Sequence, residues 1–271
     1  MVARLKAQGQ AEYEAWSARS VAEVEAVYLW VDGMYVKAGW EKEKAALLVV
    51  LAALRDGRKV VLAVTPGQRE STESWAALLR DLRARGLRPP RLVVGDGHLG
   101  IWGALRTIYP EAAEQQCWNH KLLNVLDTVS TAHQPTAKEL VTRMAYAPTR
   151  QEAERGREQF RRWCQQRGYH TAAESVERSW ERLVTFYSFP QPHWQHLRTT
   201  NPVESPFAAA RLRTDAAKRF NRLDNATAVL CKLLRVAETH FRRVKHPELM
   251  DVVYRGLEIV DGQLVKTKLA A

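Results

Sequence analysis

The sequence predicts a mixed α/β fold built on a five-stranded sheet. In the first half of the chain, short runs rich in Val and Leu alternate with amphipathic helical patterns, and a long stretch of helical patterns alone follows. The composition agrees, because 46% of the 271 residues are apolar and the counts of 14 Gly and 11 Pro are ordinary. These values exclude a disordered or collagenous chain.

The charge balance indicates a polyanionic partner, because 41 Lys and Arg stand against 30 Asp and Glu, a formal net charge of +11. Three Cys cannot form a disulfide framework, which indicates a reducing compartment. The N-terminus lacks an apolar signal segment, and the longest apolar run, 45–54, is too short to cross a bilayer. We therefore expect a cytoplasmic protein with no membrane partner.

Three strand patterns come first. The first pattern, 27–31, ends at the dipeptide Asp32-Gly33, and a second Asp-Gly dipeptide separates the next two patterns, 45–54 and 60–64. Because Asp-Gly pairs favour tight turns, we expect three sequential antiparallel strands joined by Asp-Gly turns.

Helical and strand patterns then alternate. Ser71 is a suitable N-cap for the first long helix. A short strand pattern at 92–94 ends at Gly95-Asp96-Gly97, a helix is predicted over about 99–109, and an extended piece is predicted over 114–117.

Strand patterns are absent from about residue 121 to residue 196. Further helices are predicted over 122–129, 152–166, 172–186, from Asn201 onward, and over 226–244, with a weak hairpin pattern at 257–265. This order matches a mixed five-stranded sheet of the ribonuclease-H type with an all-α insertion before the helix that carries Glu204. The predicted divisions are a connecting helix (1–27), the first part of the core (28–120), the insertion (121–197), the second part of the core with basic helices (198–245) and a C-terminal tail (246–271).

Three carboxylates fall where such a sheet would bring them together. Asp32 ends the first strand and Asp96 the fourth, which are neighbours in this topology, and a returning helix could bring Glu204 beside them. Three close carboxylates repel strongly unless cations lie among them, and a set of hard oxygen ligands suits Mg²⁺ or Mn²⁺. Taken singly, each residue has a simpler interpretation. The two Asp-Gly pairs are turn dipeptides, and Asn201-x-x-Glu204 is a capping box.

Four segments resemble the signature blocks of prokaryotic Mutator-type insertion-sequence transposases. They are 28–35 (YLWVDGMY), 95–102 (GDGHLGIW), 117–121 (CWNHK) and 198–205 (RTTNPVES), and they occur in the family's order. The resemblance extends from about residue 4 to about residue 245.

This resemblance implies a ribonuclease-H-like catalytic domain in which Asp32, Asp96 and Glu204 bind two Mg²⁺ or Mn²⁺ ions about 4 Å apart. The implied reaction is cleavage of DNA at the ends of the element, followed by transfer of the 3′-hydroxyl into target DNA. The implied partners are double-stranded DNA, both element ends and target, and a second copy of the chain on that DNA. No organic cofactor is expected, and the protein is expected on the nucleoid when bound.

Only about 27 residues precede the first predicted strand, whereas family members normally carry a longer N-terminal DNA-binding region. The resemblance therefore implies a truncated chain. Two alternatives follow: a catalytically silent truncated transposase that binds DNA or dimerises as an inhibitor, and a nuclease of the same fold that does not transpose.

The Cys117-x-x-His120 block matches one found in the family. Zinc normally takes four ligands and only two are evident, so zinc is disfavoured by the ligand count. Two interpretations remain open: the pair supports the active site with His120 close to the scissile phosphate, or Cys117 is structural and His120 caps a helix.

Residues 198–245 hold 11 Lys and Arg and 4 acidic residues, and so carry most of the net positive charge. This segment predicts phosphate contacts, with a solvated helix face as the alternative. The basic candidates are Arg198, Arg211, Arg213, Lys218 and Arg219. Trp194 either stacks on an unpaired base at the element end or packs in the core.

Overall fold

The computed structural model describes residues 2–38, 45–67, 71–97, 99–216, 220 and 222–265, and of residues 2, 3, 5, 99, 209 and 213–216 it describes the backbone alone. The elements in chain order are α1 (Val2–Ser17), β1 (Ala26–Val36), β2 (Ala45–Leu54), β3 (Lys59–Gly67), α2 (Thr72–Ala84), β4 (Leu92–Gly95), α3 (Leu99–Ile108), β5 (Ala113–Gln116), α4 (Trp118–Leu126), α5 (Gln134–Ala145), α6 (Arg150–Arg167), α7 (His170–Val184), α8 (Trp194–Leu197), α9 (Asn201–Ala216), α10 (Leu223–Glu238), α11 (Leu249–Tyr254), β6 (Ile259–Val260) and β7 (Gln263–Leu264).

Five strands form one mixed sheet in the order β3-β2-β1-β4-β5. The pairs β1–β2 and β2–β3 are antiparallel, whereas β1–β4 and β4–β5 are parallel. The predicted mixed five-stranded sheet, with its first and fourth strands as neighbours, is confirmed. Its assignment to the ribonuclease-H type and the predicted domain boundaries stay predictions.

Helices cover both faces of the sheet. Because alternate residues of a strand point to opposite faces, neighbouring residues of β1 belong to different core clusters. On one face, Leu29 and Val31 pack in a core cluster with Trp75 of α2 and Trp102 of α3. On the other face, Trp30 belongs to a second cluster that continues through the helices from α4 to α10. The helices after β5 therefore share one continuous apolar core with this face of the sheet.

The predicted turn at Asp32-Gly33 is wrong. β1 continues through this dipeptide to Val36, and Asp32 pairs with Val49 of β2. The reason is the partner strand: β2 is ten residues long and almost wholly buried, and it needs a partner of equal length to satisfy its backbone groups. The second Asp-Gly pair forms the expected turn between β2 and β3, with Gly57 at φ +80°.

Two helices differ from the prediction. α5 was not predicted, although Pro135 lies in its first turn, where a missing N–H costs no helical hydrogen bond. α10 ends at Glu238, six residues before the predicted end at Val244. Val244 instead donates its N–H to the carbonyl of Gly57 at 2.9 Å, which returns the chain to the β2–β3 turn.

The remaining elements follow the sequence patterns. Ser71 caps α2 by accepting a hydrogen bond from the Ser74 N–H at 3.2 Å, and the predicted C-terminal hairpin is formed by β6 and β7. None of the helices in the described part of the chain combines the length and the apolar character needed to cross a bilayer.

His196 is held neutral between the sheet and the segment after α10. Its carbonyl accepts a hydrogen bond from the Trp30 indole at 2.9 Å, and its Nε2 accepts one from the Lys245 N–H at 3.2 Å. Burial lowers the pKa of His196 to about 4, and the nearby charges of Lys59, His193 and Lys245 act in the same direction.

Because the folded pKa of His196 lies below its unfolded value, the unfolded chain binds this proton more readily as the pH falls. Its contribution to stability is therefore complete above about pH 6.5 and is lost as the pH falls towards 4. We expect His196→Asn to reduce the drop in unfolding free energy between pH 7.5 and pH 5 by about 1–2 kcal/mol. Urea unfolding at both pH values measures this drop, and exposed His240→Asn is the control. An unchanged drop in the His196 variant contradicts the assignment.

Candidate active site

Asp32 lies within β1, and Asp96 directly follows β4, the strand that pairs in parallel with β1. The pairing sets Trp30 opposite Val94, which stand two residues before Asp32 and Asp96 respectively. By the alternation along β1, Asp32 is on the same face of the sheet as Trp30, which belongs to the core cluster that continues through the helices after β5. Asp32 is only 8% exposed, and its Oδ1 accepts a hydrogen bond from the Gly33 N–H at 2.8 Å.

The chain turns tightly after Asp96. Gly97 has φ +101°, and a Cβ at this position would lie 2.0 Å from Nε2 of Gln116, so only glycine fits here without displacing that side chain. The Cys117 N–H donates to the carbonyl of Gly95 at 2.7 Å. The end of β5 therefore lies directly beside the loop that carries Asp96.

Glu204 is in the first turn of α9, which packs against β1 and β2. The backbone carbonyl of Thr200 accepts the N–H groups of Val203 and Glu204 at 2.9 and 3.0 Å, which starts the helix. The side chain of Thr200 also donates to Oε1 of Glu204. The N–H of Asn201, where the predicted capping box would act, instead donates to Oγ1 of Thr199 at 3.4 Å. Capping through Asn201 is thus not the role that Glu204 has here.

Thr200 links Glu204 to the Cys117-x-x-His120 block. The buried Sγ of Cys117 accepts a hydrogen bond from the Thr200 N–H at 3.3 Å and lies 3.2 Å from the Thr200 hydroxyl oxygen. Nδ1 of His120 lies 3.4 Å from the Thr200 hydroxyl and 3.8 Å from Oε1 of Glu204. One ligand atom each from Cys117, His120 and Glu204 lies within 4.8 Å of the other two.

The electrostatic surroundings of His120 connect this group to Asp96. A hydrogen bond with Cys117 raises the pKa of His120 to about 9, against the opposing effect of burial, and the charges of Cys117, Glu204 and Asp96 raise it further. These neighbours favour the protonated form of His120, which lies beside the carboxylate of Glu204.

Thr200 was missed by sequence reasoning. It lies in the RTTNPVES block but carries no charge, and its partners Cys117 and His120 are more than 75 residues away in the chain. The grouping of Glu204 with Cys117 and His120 was missed for the same reason. The sequence alone assigned only two ligands to that block.

Two of the predicted DNA contacts pack against aromatic side chains of the interior, with Trp194 buried and Arg198 partly buried. Trp194 is 2% exposed and its indole N–H donates to the carbonyl of Phe189 at 2.7 Å, so the core alternative is correct and no ring face is left for a base. The guanidinium of Arg198 lies over the rings of Tyr146, Phe186 and Trp194 at 4.8, 4.9 and 5.4 Å. Burial lowers its pKa, and this packing does not support the predicted phosphate contact.

The other predicted DNA contacts lie at or beyond the second half of α9. Arg211 is exposed on this helix, and its guanidinium lies 5.8 Å from the ring centre of Phe207. The side chain of Arg213, and Lys218 and Arg219 altogether, lie outside the described residues. Those three assignments stay predictions.

Comparisons with known proteins agree on one family. The family model described as "Transposase, Mutator family" matches residues 1–243. The chain is 39% identical over 265 residues to the transposase for insertion sequence element IS6120 of Mycolicibacterium smegmatis, covering 98% of this chain and 82% of the relative. It is 36% identical over 263 residues to the transposase for insertion sequence element IST2 of Acidithiobacillus ferrooxidans, covering 97% and 88%.

The Thr200 hydroxyl should couple energetically to Glu204. Thr200→Val removes the donor and leaves buried acceptors without a partner, and we expect it to lower the unfolding free energy by about 1–3 kcal/mol. In a Glu204→Ala background the same change should cost less, with a coupling energy of about 0.5–3 kcal/mol in the double-mutant cycle. Urea denaturation of the four chains measures the coupling.

A control double-mutant cycle uses Thr227 in place of Thr200. Thr227 is a buried threonine on α10, and its hydroxyl donates to the carbonyl of Leu223 at 2.9 Å. Thr227→Val should show no coupling to Glu204→Ala. Equal coupling in the two cycles would be evidence against the hydrogen bond between Thr200 and Glu204.

Proposed function

The chain belongs to the Mutator family of transposases, and we propose that it cleaves DNA at the ends of an insertion sequence and transfers the resulting 3′-hydroxyl into target DNA. In this proposal Asp32, Asp96 and Glu204 hold two divalent metal ions. The fold is taken to be of the ribonuclease-H type, with the helices between β5 and α9 as an insertion.

The single observation that carries the proposal is the register between β1 and β4. It brings the end of β4, which Asp96 directly follows, beside the part of β1 that holds Asp32, and α9, whose first turn carries Glu204, packs on β1. Carboxylate oxygens are the donors that Mg²⁺ and Mn²⁺ prefer. The donor set therefore fits a hard divalent cation, and a bound cation would remove the cost of burying Asp32 beside a second carboxylate.

When bound, the metal ions would supply activation of the attacking oxygen and stabilisation of the leaving 3′ oxygen. The surrounding residues hold the three carboxylates in position. Asp32 is fixed by strand pairing, Asp96 by the tight turn at Gly97, and Glu204 by the Thr200 hydroxyl. His120, whose pKa is raised to about 9, lies next to Glu204, and its protonated ring can offer a hydrogen bond to a phosphate oxygen at this site.

DNA is the proposed substrate and partner, in agreement with the net charge of +11. The segment 198–245 contributes much of that charge, and Arg211 lies two turns beyond Glu204 on α9. A second copy of the chain on the DNA completes the proposal, since two element ends must be processed together. Cleavage without joining would identify the nuclease alternative, and DNA binding without cleavage the silent inhibitor.

We expect nicking of supercoiled plasmid DNA in the presence of Mg²⁺ or Mn²⁺. Asp32→Asn, Asp96→Asn and Glu204→Gln should each lower the nicking rate by at least about 100-fold, because each removes a charged metal ligand while keeping the side chain's shape. Glu139→Gln, on the exposed face of α5, is the control and should keep the rate. Activity that survives Asp96→Asn would rule out the triad, and joining of labelled element ends to target DNA separates a transposase from a nuclease.

Arg211→Ala should weaken DNA binding to the same extent for all sequences. Loss of one phosphate contact is expected to reduce the slope of log K against log salt concentration by about one. Fluorescence anisotropy with a labelled duplex at several salt concentrations measures this slope in the absence of divalent metal. Arg80→Ala, on the exposed face of α2, is the matched control. If both variants keep the slope of the original protein, Arg211 does not contact phosphate.

A further inference from the structure

We propose that Cys117, His120 and Glu204 form a second metal site, selective for a thiophilic divalent cation such as Zn²⁺. Their ligand atoms converge within 4.8 Å of one another, although they come from the end of β5, from α4 and from α9. This site differs from the proposed Mg²⁺ site in its donors and shares one ligand with it, Glu204.

The donor set determines the preference of the site. A sulfur, an imidazole nitrogen and a carboxylate oxygen are the three ligand types that zinc takes in proteins, and three protein ligands leave a fourth position for water. Mg²⁺ avoids sulfur and nitrogen and takes oxygen donors. Substitution of Cys117 or His120 should therefore weaken the binding of Zn²⁺ and not that of Mg²⁺, although both ions use Glu204.

The three ligands are held in place before any ion arrives. The N–H of Thr200 donates to Sγ of Cys117, and the hydroxyl of Thr200 donates to Glu204 and lies 3.2 Å from Sγ of Cys117 and 3.4 Å from Nδ1 of His120. Partners of this kind orient metal ligands and increase their affinity. An ion can reach the site from solvent, because the side chains of His120 and Glu204 are 33% and 32% exposed. Cys117 is fully buried behind them.

Occupation of this site has a consequence for the proposed reaction. An ion bound by Cys117 and His120 takes Glu204 as its third ligand. Glu204 is then withdrawn from the proposed Mg²⁺ site. This regulatory step rests on the proposed function: Zn²⁺ should inhibit Mg²⁺-dependent DNA cleavage.

The site itself is tested without DNA, with Co²⁺ as the spectroscopic probe. The full chain should show a thiolate-to-cobalt charge-transfer band, and this band should be absent in Cys117→Ser. Calorimetry with Zn²⁺ should show affinity reduced at least about tenfold in Cys117→Ser and in His120→Gln. Cys164→Ser is the matched control, because Cys164 is equally buried and lies in α6, and it should keep both the band and the affinity.

His120→Gln protects the test against misfolding, since it changes a partly exposed side chain, and circular dichroism checks both variants. Absence of the band in the original chain, or its survival in Cys117→Ser, would overturn the site. So would equal zinc affinity in the original chain and in His120→Gln.

The regulatory step is tested by plasmid nicking at fixed Mg²⁺ with increasing Zn²⁺, each variant being compared with its own zinc-free rate. The Zn²⁺ concentration that halves the rate should rise at least about tenfold in His120→Gln and stay unchanged in Cys164→Ser. Nicking that resists Zn²⁺ while the cobalt band is present overturns the regulatory step. A cobalt band in a chain that does not nick DNA leaves the metal site in place and defeats the proposed function instead.

Discussion

The parallel pairing of β1 with β4 is the constraint on which the candidate active site depends. Its register ends with Trp30 opposite Val94, so the loop that carries Asp96 begins beside the part of β1 that holds Asp32. A shift of β4 by one residue would turn Val94 to the opposite face, beneath α2 and α3, and would displace the start of the loop that carries Asp96. Burial makes such a shift costly, because Val94 would leave the core cluster that it shares with Trp30.

Three backbone and side-chain contacts then join the helices to this sheet edge. The N–H of Cys117 bonds to the end of β4, the N–H of Trp118 bonds to the carbonyl of Arg198 at 2.9 Å, and Thr200 bonds to the sulfur of Cys117. The short segment after β5 therefore reaches both the loop that carries Asp96 and the residues that begin α9. Since Thr200 contacts Glu204 as well, the geometry of the helix start and that of the acidic group are set by the same side chain.

Much of this architecture could be predicted from the sequence because it depends on local patterns. Alternating apolar residues identified the strands, and hairpin-linked strands followed by crossovers predicted that β1 and β4 are neighbours. The Asp32-Gly33 pair misled prediction because turn preference at two residues is weaker than the backbone pairing demanded by the long partner strand β2. The contact of Cys117 with Thr200 spans 83 residues and depends on how helices pack, which no local pattern specifies.

The helices between β5 and α9 share their core with the sheet face that bears Asp32. Trp118 and Trp180, for example, meet edge-to-face at 6.3 Å, and the Trp118 indole donates to the carbonyl of Leu183 at 2.8 Å. Such a segment cannot be exchanged for another without disturbing the core that it shares with the sheet. A chimera that acquired this segment by recombination from a distant relative would have side chains that do not pack well against the sheet. We therefore expect substitutions in the segment and in the sheet to be coupled during evolution.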